Sequence, residues 1–141
     1  FPELGVGGAN VGPEFGGSII EGLEELERRE REAIKRKEVE ASDVMRTVEE
    51  AALEEAPWQK FVPEEIENQD PNDFARRHRR EIAMCVGRYV YESPSVKEAR
   101  RRLFENLKEY SSVENPDRYL VDKVRTSIRR FVKAFNLSET F

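Results

Sequence analysis

The sequence is poor in the residues from which catalytic and metal sites are built. Its 141 residues include one cysteine, one histidine and one tryptophan. Cys85 alone cannot form an intrachain disulfide, and His78 alone cannot complete a His-paired metal site or a Ser-His-Asp arrangement within one chain. We expect His78 to lie at the boundary between core and surface and Cys85 to be a small buried hydrophobe. The sequence predicts no bound metal and no cofactor.

Long apolar runs and nucleotide-binding motifs are also missing. The longest apolar run, Ile82 to Val86, has about five residues, whereas a membrane-spanning helix needs about twenty. The glycines from Gly5 to Gly8 follow no hydrophobic strand and precede no Lys-Ser or Lys-Thr pair, so they match neither a dinucleotide fingerprint nor a phosphate loop. The many carboxylates fall on exposed helices rather than in a desolvated acid-base pair. We predict a protein that is not an enzyme and does not span a membrane.

What the chain has in abundance is charge, and the charge is unevenly distributed. Hydrophobic and charged residues each make up 38% of the sequence, a low share for filling a core. The net charge of −5 divides into −11 over residues 1–70 and +6 over residues 71–141. We therefore expect one small domain with extensions, and either separate surfaces for separate partners or one half folding back on the other.

Residues 1–17 hold most of the glycines and show no helical or strand period. Such a segment buries too little apolar surface to offset its backbone entropy, so the sequence predicts an extended Gly-rich arm that becomes ordered on a partner. A start without methionine is typical of a mature chain after removal of an organelle transit segment, and equally of a partial sequence. The candidate anchors on a partner protein are the apolar residues of this arm: Phe1, Leu4, Val6, Val11 and Phe15.

Residues 18–56 carry the signature of one long charged helix, or of two collinear helices. Ser18 and Glu21 form a capping box, and Pro57 ends the pattern. Unbroken, the helix would be roughly 55 to 60 Å long. Residues 27–40 are nearly all charged, with acid-to-base pairs four residues apart, so we expect this stretch to be solvated on all sides. A narrow apolar seam runs along the helix through Ile34, Ala41, Val44 and Val48.

The remaining chain predicts a linker and a compact helical unit. Residues 57–71 form the linker, whose Trp58 and Phe61 either pack on the helical unit or insert into a partner. Residues 72–137 predict three helices that start at Asn72 or Asp73, at Pro94 and at Asn115-Pro116, followed by a tail at 138–141. Their apolar stripes can face one another, which predicts an antiparallel three-helix bundle and an all-α fold. The stripes are Phe74, Ile82, Val86, Tyr89 and Val90; Val96, Ala99, Leu103, Leu107 and Tyr110; and Leu120, Val124, Ile128, Phe131, Val132 and Phe135.

Arginines cluster on all three of these helices. The clusters are Arg76, Arg77, Arg79 and Arg80 on the first helix, Arg100 to Arg102 on the second, and Arg125, Arg129, Arg130 and Lys133 on the last. The candidate anion-binding residues among them are Arg76, Arg80, Arg129 and Arg130. Adjacent arginines point about 100° apart around a helix, so not all of them can contribute to one face.

Three functional hypotheses follow. The first is a non-catalytic accessory or linker subunit that binds and stabilises proteins of a larger assembly, such as a photosynthetic or respiratory complex of a plastid or mitochondrion. The second is a nucleic-acid-binding module of an organellar ribosome or transcription complex, acting through the arginine-rich face. The third is a coiled-coil oligomer that associates through the seam in residues 18–56. An intracellular location and peripheral membrane contact are compatible with the first.

Overall fold

The computed structural model describes residues 12–62 and 70–135, and every regular element in these two stretches is helical. The prediction of an all-α fold is therefore confirmed for the part of the chain described. None of these helices is both long and apolar enough to cross a bilayer. The α-helices are α1 (Gly12–Ile34), α2 (Val44–Glu55), α3 (Pro71–Arg77), α4 (Arg79–Val90), α5 (Pro94–Tyr110) and α6 (Pro116–Ala134), and a 3₁₀ turn covers Trp58–Phe61.

Helix α1 is the element around which the others pack. Its Ile20, Leu23 and Leu26 side chains are completely buried. It contacts α4 and α6 most extensively, then α5 and α2, while α2 also packs on α4 and α5. Helix α4 runs antiparallel to α1, since Gly16 lies against Arg88 whereas Glu24, two turns later, bonds to Arg80.

The structure differs from the expected long helix over residues 18–56. Helix α1 ends at Ile34, a loop occupies residues 35–43, and α2 then packs within the same core. The break depends on Glu30, which is buried and accepts hydrogen bonds from the backbone and side chain of Ser42 and thereby holds the loop against the helix. Asp43, at φ 48°, adopts the left-handed conformation just before α2.

The expectation of a fully solvated stretch at residues 27–40 is corrected by the burial of Glu30 and Ile34. The seam proposed for a coiled coil is also inside the molecule, because Ile34, Val44 and Val48 are buried core residues. A side chain already packed in its own core is not available to a second copy, so the coiled-coil hypothesis loses its contact surface.

The predicted boundary of the Gly-rich arm is likewise shifted. Residues 12–17 form the first turns of α1 rather than an extended segment. Close packing explains the glycines here, since a Cβ on Gly16 would lie 2.9 Å from Arg88 Cδ. Residues 1–11 are outside the described residues, as are 63–69 of the linker and 136–141 at the end.

The apolar stripes of α4, α5 and α6 pack toward α1 and α2 rather than forming a separate three-helix bundle. Helices α5 and α6 touch each other only lightly. The local start signals hold: Pro94 and Pro116 occupy the first turns of α5 and α6, and Asn115 accepts a hydrogen bond from the Arg118 N–H at 2.9 Å. Helix α3 begins slightly earlier than predicted, because Asp70 is its cap and accepts from the Asn72 N–H.

Candidate functional site

Helix α6 combines close attachment to α1 with a highly charged exposed surface. A Cβ on Gly22 of α1 would lie only 2.7 Å from Leu120 Cδ2, so the two helices approach closely at this point. Phe15, near the start of α1, packs edge-on against Phe131 at a ring distance of 5.6 Å, which fixes the far end of α6. Because the attachment uses one side of α6, its other side is exposed to solvent.

The exposed side of α6 is strongly basic. From Lys123 to Ala134 the helix carries five cationic side chains and no carboxylate. Residues four apart lie on the same side of a helix, so Arg125, Arg129 and Lys133 form one exposed row, which we call the basic face. Arg125 pairs with Asp122 at 3.3 Å, whereas Arg129 and Lys133 make no ion pair with any described residue. Their position in the last turns also suits the partial negative charge of a helix C-terminus.

A partly buried hydrogen-bond network on the side of α6 that faces α1 joins the two helices and fixes their relative position. Glu25 of α1 accepts hydrogen bonds from the Tyr119 hydroxyl and from Lys123 Nζ, the latter at 2.5 Å. These donors favour the charged carboxylate and hold the pKa of Glu25 below its ordinary value, Lys123 contributing most. Arg29 stacks over the Tyr119 ring at 4.8 Å. Lys123 is thus neutralised within the protein and does not belong to the basic face.

The other two predicted anion-binding residues are neutralised by neighbouring carboxylates. Arg76 forms an ion pair with Asp73 on the same helix. Arg80 makes two hydrogen bonds of 2.8 Å to the two carboxylate oxygens of Glu24, and this contact lowers the pKa of Glu24. Arg80 therefore joins α4 to α1.

The predicted arginines Arg80 and Arg130 lie on two helices, α4 and α6, that both pack along α1. The two side chains line separate grooves, and both grooves include Ser18 and Glu21 of α1. Arg130 is exposed but lines a groove facing α1 instead of joining the outer row. Arg129 lies in one exposed row with Arg125 and Lys133.

The predicted partner-binding aromatics have different environments. Trp58 is buried, stacks on Phe74 at 6.3 Å and donates its indole N–H to the Leu53 carbonyl, so it packs on the helical core. Phe61 is 48% exposed. Phe15 packs on Phe131, as described above. The other predicted anchors, Phe1, Leu4, Val6 and Val11, lie outside the described residues.

A small apolar cavity of about 140 Å³ lies beside Trp58 and Phe74. His78 lines it and rests against the Phe74 ring at 4.5 Å, and the half-buried Cys85 lines it from α4. Both residues occupy the boundary between core and surface. Within the described parts of the chain, His, Cys, Asp and Glu side chains form no group arranged to hold a metal ion.

Sequence reasoning located the basic residues of α6 but missed two polar features. The i, i+4 spacing of Arg125, Arg129 and Lys133 indicates one row, but Arg76 and Arg80 have the same spacing, so spacing alone does not distinguish the basic face from the arginines paired with carboxylates. The burial of Glu30 and Ser127 had no comparable signal, because a lone Glu or Ser in a charged helix normally faces water. No protein-family model, curated protein or solved structure is significantly similar to this chain.

Proposed function

We propose that this protein is a non-catalytic accessory subunit that binds other proteins of a larger assembly and docks through the basic face of α6. The observation that carries the proposal is the exposed row Arg125, Arg129 and Lys133, on a stretch of helix without a carboxylate. A row of cations on a rigid helix is complementary to an acidic surface on a partner protein, and such complementarity steers association and fixes its register.

Charge alone also suits nucleic acid, but the rest of the molecule favours a protein partner. The chain as a whole has a net charge of −5. A net negative charge opposes the approach of a phosphate backbone that extends beyond α6. Val121, one turn before the basic face, is 46% exposed and adds an apolar contact of the kind found in protein interfaces.

A second contact is proposed for the arm. Phe1, Leu4, Val6 and Val11 remain candidate anchors on another component of the assembly, and Phe61 is an exposed apolar side chain on a different part of the surface. In this arrangement the helical unit docks on one subunit and the arm reaches a second, as expected of a linker.

The test is affinity purification of the full-length protein from the organism that makes it, comparing the parent with a charge-reversed α6. The variant carries Arg125→Glu, Arg129→Glu and Lys133→Glu. We expect the parent to recover a stoichiometric complex with a defined protein partner and the variant to lose it, because long-range attraction becomes repulsion. Mass spectrometry identifies the partner, and titration of the purified pair gives the affinity.

A matched variant controls for the change in net charge. Lys97→Glu, Arg101→Glu and Lys108→Glu alter the total charge by the same amount, but on α5. This control should retain the complex. Equal loss in both variants would show a non-specific charge effect and contradict docking through α6. Recovery of nucleic acid in place of protein, with an affinity that falls steeply as the salt concentration rises, would contradict the proposal and support the nucleic-acid hypothesis.

A further inference from the structure

Helix α6 carries a second row of side chains beside the basic face. Val124, Ile128 and Val132 follow one another four residues apart, so they lie on one side of the helix and form what we call the aliphatic row. Each member directly precedes a member of the basic face, and consecutive residues of an α-helix lie about 100° apart around its axis. The two rows therefore run side by side along α6, over a length of about 14 Å.

The fold leaves the aliphatic row partly uncovered. Lys123 and Phe131, each one residue before a member of the row, are the side chains that contact α1. Leu120 belongs to the buried core and Tyr119 packs against it, whereas the members of the aliphatic row are half-buried and belong to neither group. Val121, two turns before Ile128 on the same flank, is exposed. An apolar strip of this kind at the surface marks a site of interaction.

The charges beside the aliphatic row limit what can cover it. Arg129 and Lys133 make no ion pair with any residue that the structure describes. A molecule that packs on the aliphatic row brings its own groups next to these cations, where carboxylates are favourable and cations are not. A second copy of α6 has no carboxylate between Lys123 and Ala134, so it cannot supply them.

A membrane surface suits this flank less well than a protein does. The members of the aliphatic row are half-buried, whereas a helix that lies in a bilayer interface projects its apolar side chains into the acyl region. The net charge of −5 also opposes the approach of this chain to anionic head groups. Recessed aliphatic side chains next to cations instead suit a complementary protein surface.

The backbone of α6 favours a helical partner over an extended one. Between its ends, the N–H and C=O groups of an α-helix are bonded within the helix, so α6 offers side chains but no backbone donors or acceptors. An extended segment on the aliphatic row would place its own unpaired backbone groups against an apolar strip, which is costly. A second helix pairs its backbone internally and can fit its side-chain ridges between those of α6.

We infer that an acidic amphipathic α-helix of the partner protein docks along α6. Its apolar side chains pack on the aliphatic row, and its carboxylates pair with the basic face. The apolar contact stabilises the complex, and the charges orient the two helices. This inference rests on the proposed function, because it names the element of the partner that the basic face receives.

The test is a titration of the full-length protein with a fluorescent designed peptide of about 18 residues, followed by anisotropy. The leucines and glutamates of the peptide repeat with the helical period on adjacent faces, and a control peptide has the same composition in shuffled order. We expect the periodic peptide to bind at least about tenfold more tightly than the shuffled one, with amide NMR shifts of the protein centred on α6. No binding, equal affinity for both peptides, or shifts centred on another helix would overturn the inference.

Alanine variants separate apolar docking from charge attraction. The triple variant Val124→Ala, Ile128→Ala and Val132→Ala keeps a strong helix former at each position and should weaken binding of the periodic peptide about tenfold, mainly through faster dissociation. Phe61→Ala, which removes an exposed apolar side chain elsewhere, should leave binding unchanged. Arg129→Gln should instead slow association and reduce its dependence on salt.

Unchanged affinity in the triple alanine variant would contradict packing on the aliphatic row. A peptide with alanine in place of every leucine makes the same test on the unmodified protein, and its affinity should also fall at least about tenfold. This measurement does not depend on how well the variant folds.

The same variants, used in the affinity purification described above, distinguish this inference from the proposed function. If the charge-reversed α6 loses the native complex while the triple alanine variant keeps it, the basic face remains the docking surface and the helical partner is contradicted. If the charge-reversed α6 keeps the complex, the proposed function fails, and this inference fails with it. Binding to vesicles of phosphatidylserine and phosphatidylcholine that is lost in the triple alanine variant would show a membrane contact and also overturn the inference.

Discussion

At the scale of single residues, Glu30 has the most consequential environment in the molecule. Its side chain is fully buried, and one carboxylate oxygen accepts from the Ser42 N–H at 2.9 Å and from Asn106 Nδ2 at 2.6 Å. The other oxygen accepts from the Ser42 hydroxyl at 2.6 Å, while Asn106 also donates to the Glu40 carbonyl. One carboxylate thus joins α1, the 35–43 loop and α5.

Replacing Glu30 with alanine should strongly destabilise the fold. The change leaves three buried donors without an acceptor, and we expect the free energy of unfolding in urea to fall by about 2 to 5 kcal/mol. Glu30→Gln keeps one carbonyl oxygen for Ser42 N–H and Asn106, so its loss should be smaller, about 1 to 2 kcal/mol. Equal losses for the two variants would show that side-chain volume, not hydrogen bonding, is what matters here.

Two helical glycines should respond oppositely to alanine. A Cβ on Gly87 would lie 2.8 Å from Ile20 Cδ1 and 3.3 Å from Val48 Cγ1, both in the completely buried core. Gly87→Ala should therefore cost about 1 to 3 kcal/mol by overpacking. Gly17→Ala would meet nothing closer than 3.7 Å and should be neutral or stabilising by up to about 1 kcal/mol, through helix propensity. Thermal unfolding measures the difference in stability between the two variants. Equal melting temperatures would contradict the prediction and show that α1 and α4 move apart to accommodate the added methyl group.

At the scale of elements, α1 is joined to its two main neighbours by adjacent carboxylates. Glu24 bonds to Arg80 of α4, and Glu25 bonds to Tyr119 and Lys123 of α6. Both carboxylates have pKa values lowered in the folded state by these donors. Glu49 of α2 behaves oppositely, since burial raises its pKa and opposes its ionisation.

Stability should consequently depend on pH through Glu25. A lowered folded-state pKa means that the stabilisation is complete above the ordinary value of 4.5 and is lost as the pH falls below it. Glu25→Gln should be less stable than the parent at pH 7, and the difference should shrink at pH 3, as measured by urea midpoints. Glu32→Gln, on an exposed part of α1, is the control and should track the parent at both pH values. A constant difference between Glu25→Gln and the parent across pH would rule out this contribution.

The elements that sequence predicted well are those with local signals. Pro94, Asn115 and Pro116 set the starts of α5 and α6 through contacts a few residues away. The break after Ile34 depends on Glu30 meeting Ser42 and Asn106, and Asn106 is 76 residues distant in sequence. Likewise the Arg80–Glu24 contact joins residues 56 apart, so the removal of this arginine from the candidate site has no local sign. Long-range pairing was the part that local sequence patterns could not supply.

At the scale of the whole molecule, α6 is the least embedded of the long helices. Only Pro116, Leu120 and Ser127 of its residues are buried, whereas α5 buries five residues including Leu103 and Leu107. It rests mainly on α1 and has few contacts with α5. Helices with fewer buried contacts open at a lower free energy than the rest of the fold.

Native-state hydrogen exchange should therefore divide the described helices into two groups. We expect the amides of α6 to exchange through a local opening, with lower protection than those of α1, α4 and α5. Glu25→Gln, which weakens the contact between α1 and α6, should lower the hydrogen-exchange protection of α6 more than that of α5. Uniform protection across all these helices would mean that α6 unfolds only together with the core.

The central position of α1 affects how the chain is made. Because α1 precedes every other described helix, a ribosome releases its apolar stripe before any of the helices that cover it. The bond from Lys123 to Glu25 spans 98 residues, so α1 is fully covered only after α6 has been synthesised. Until then the charged residues of α1 keep the uncovered helix in contact with water, and the docking of α6 completes its covering.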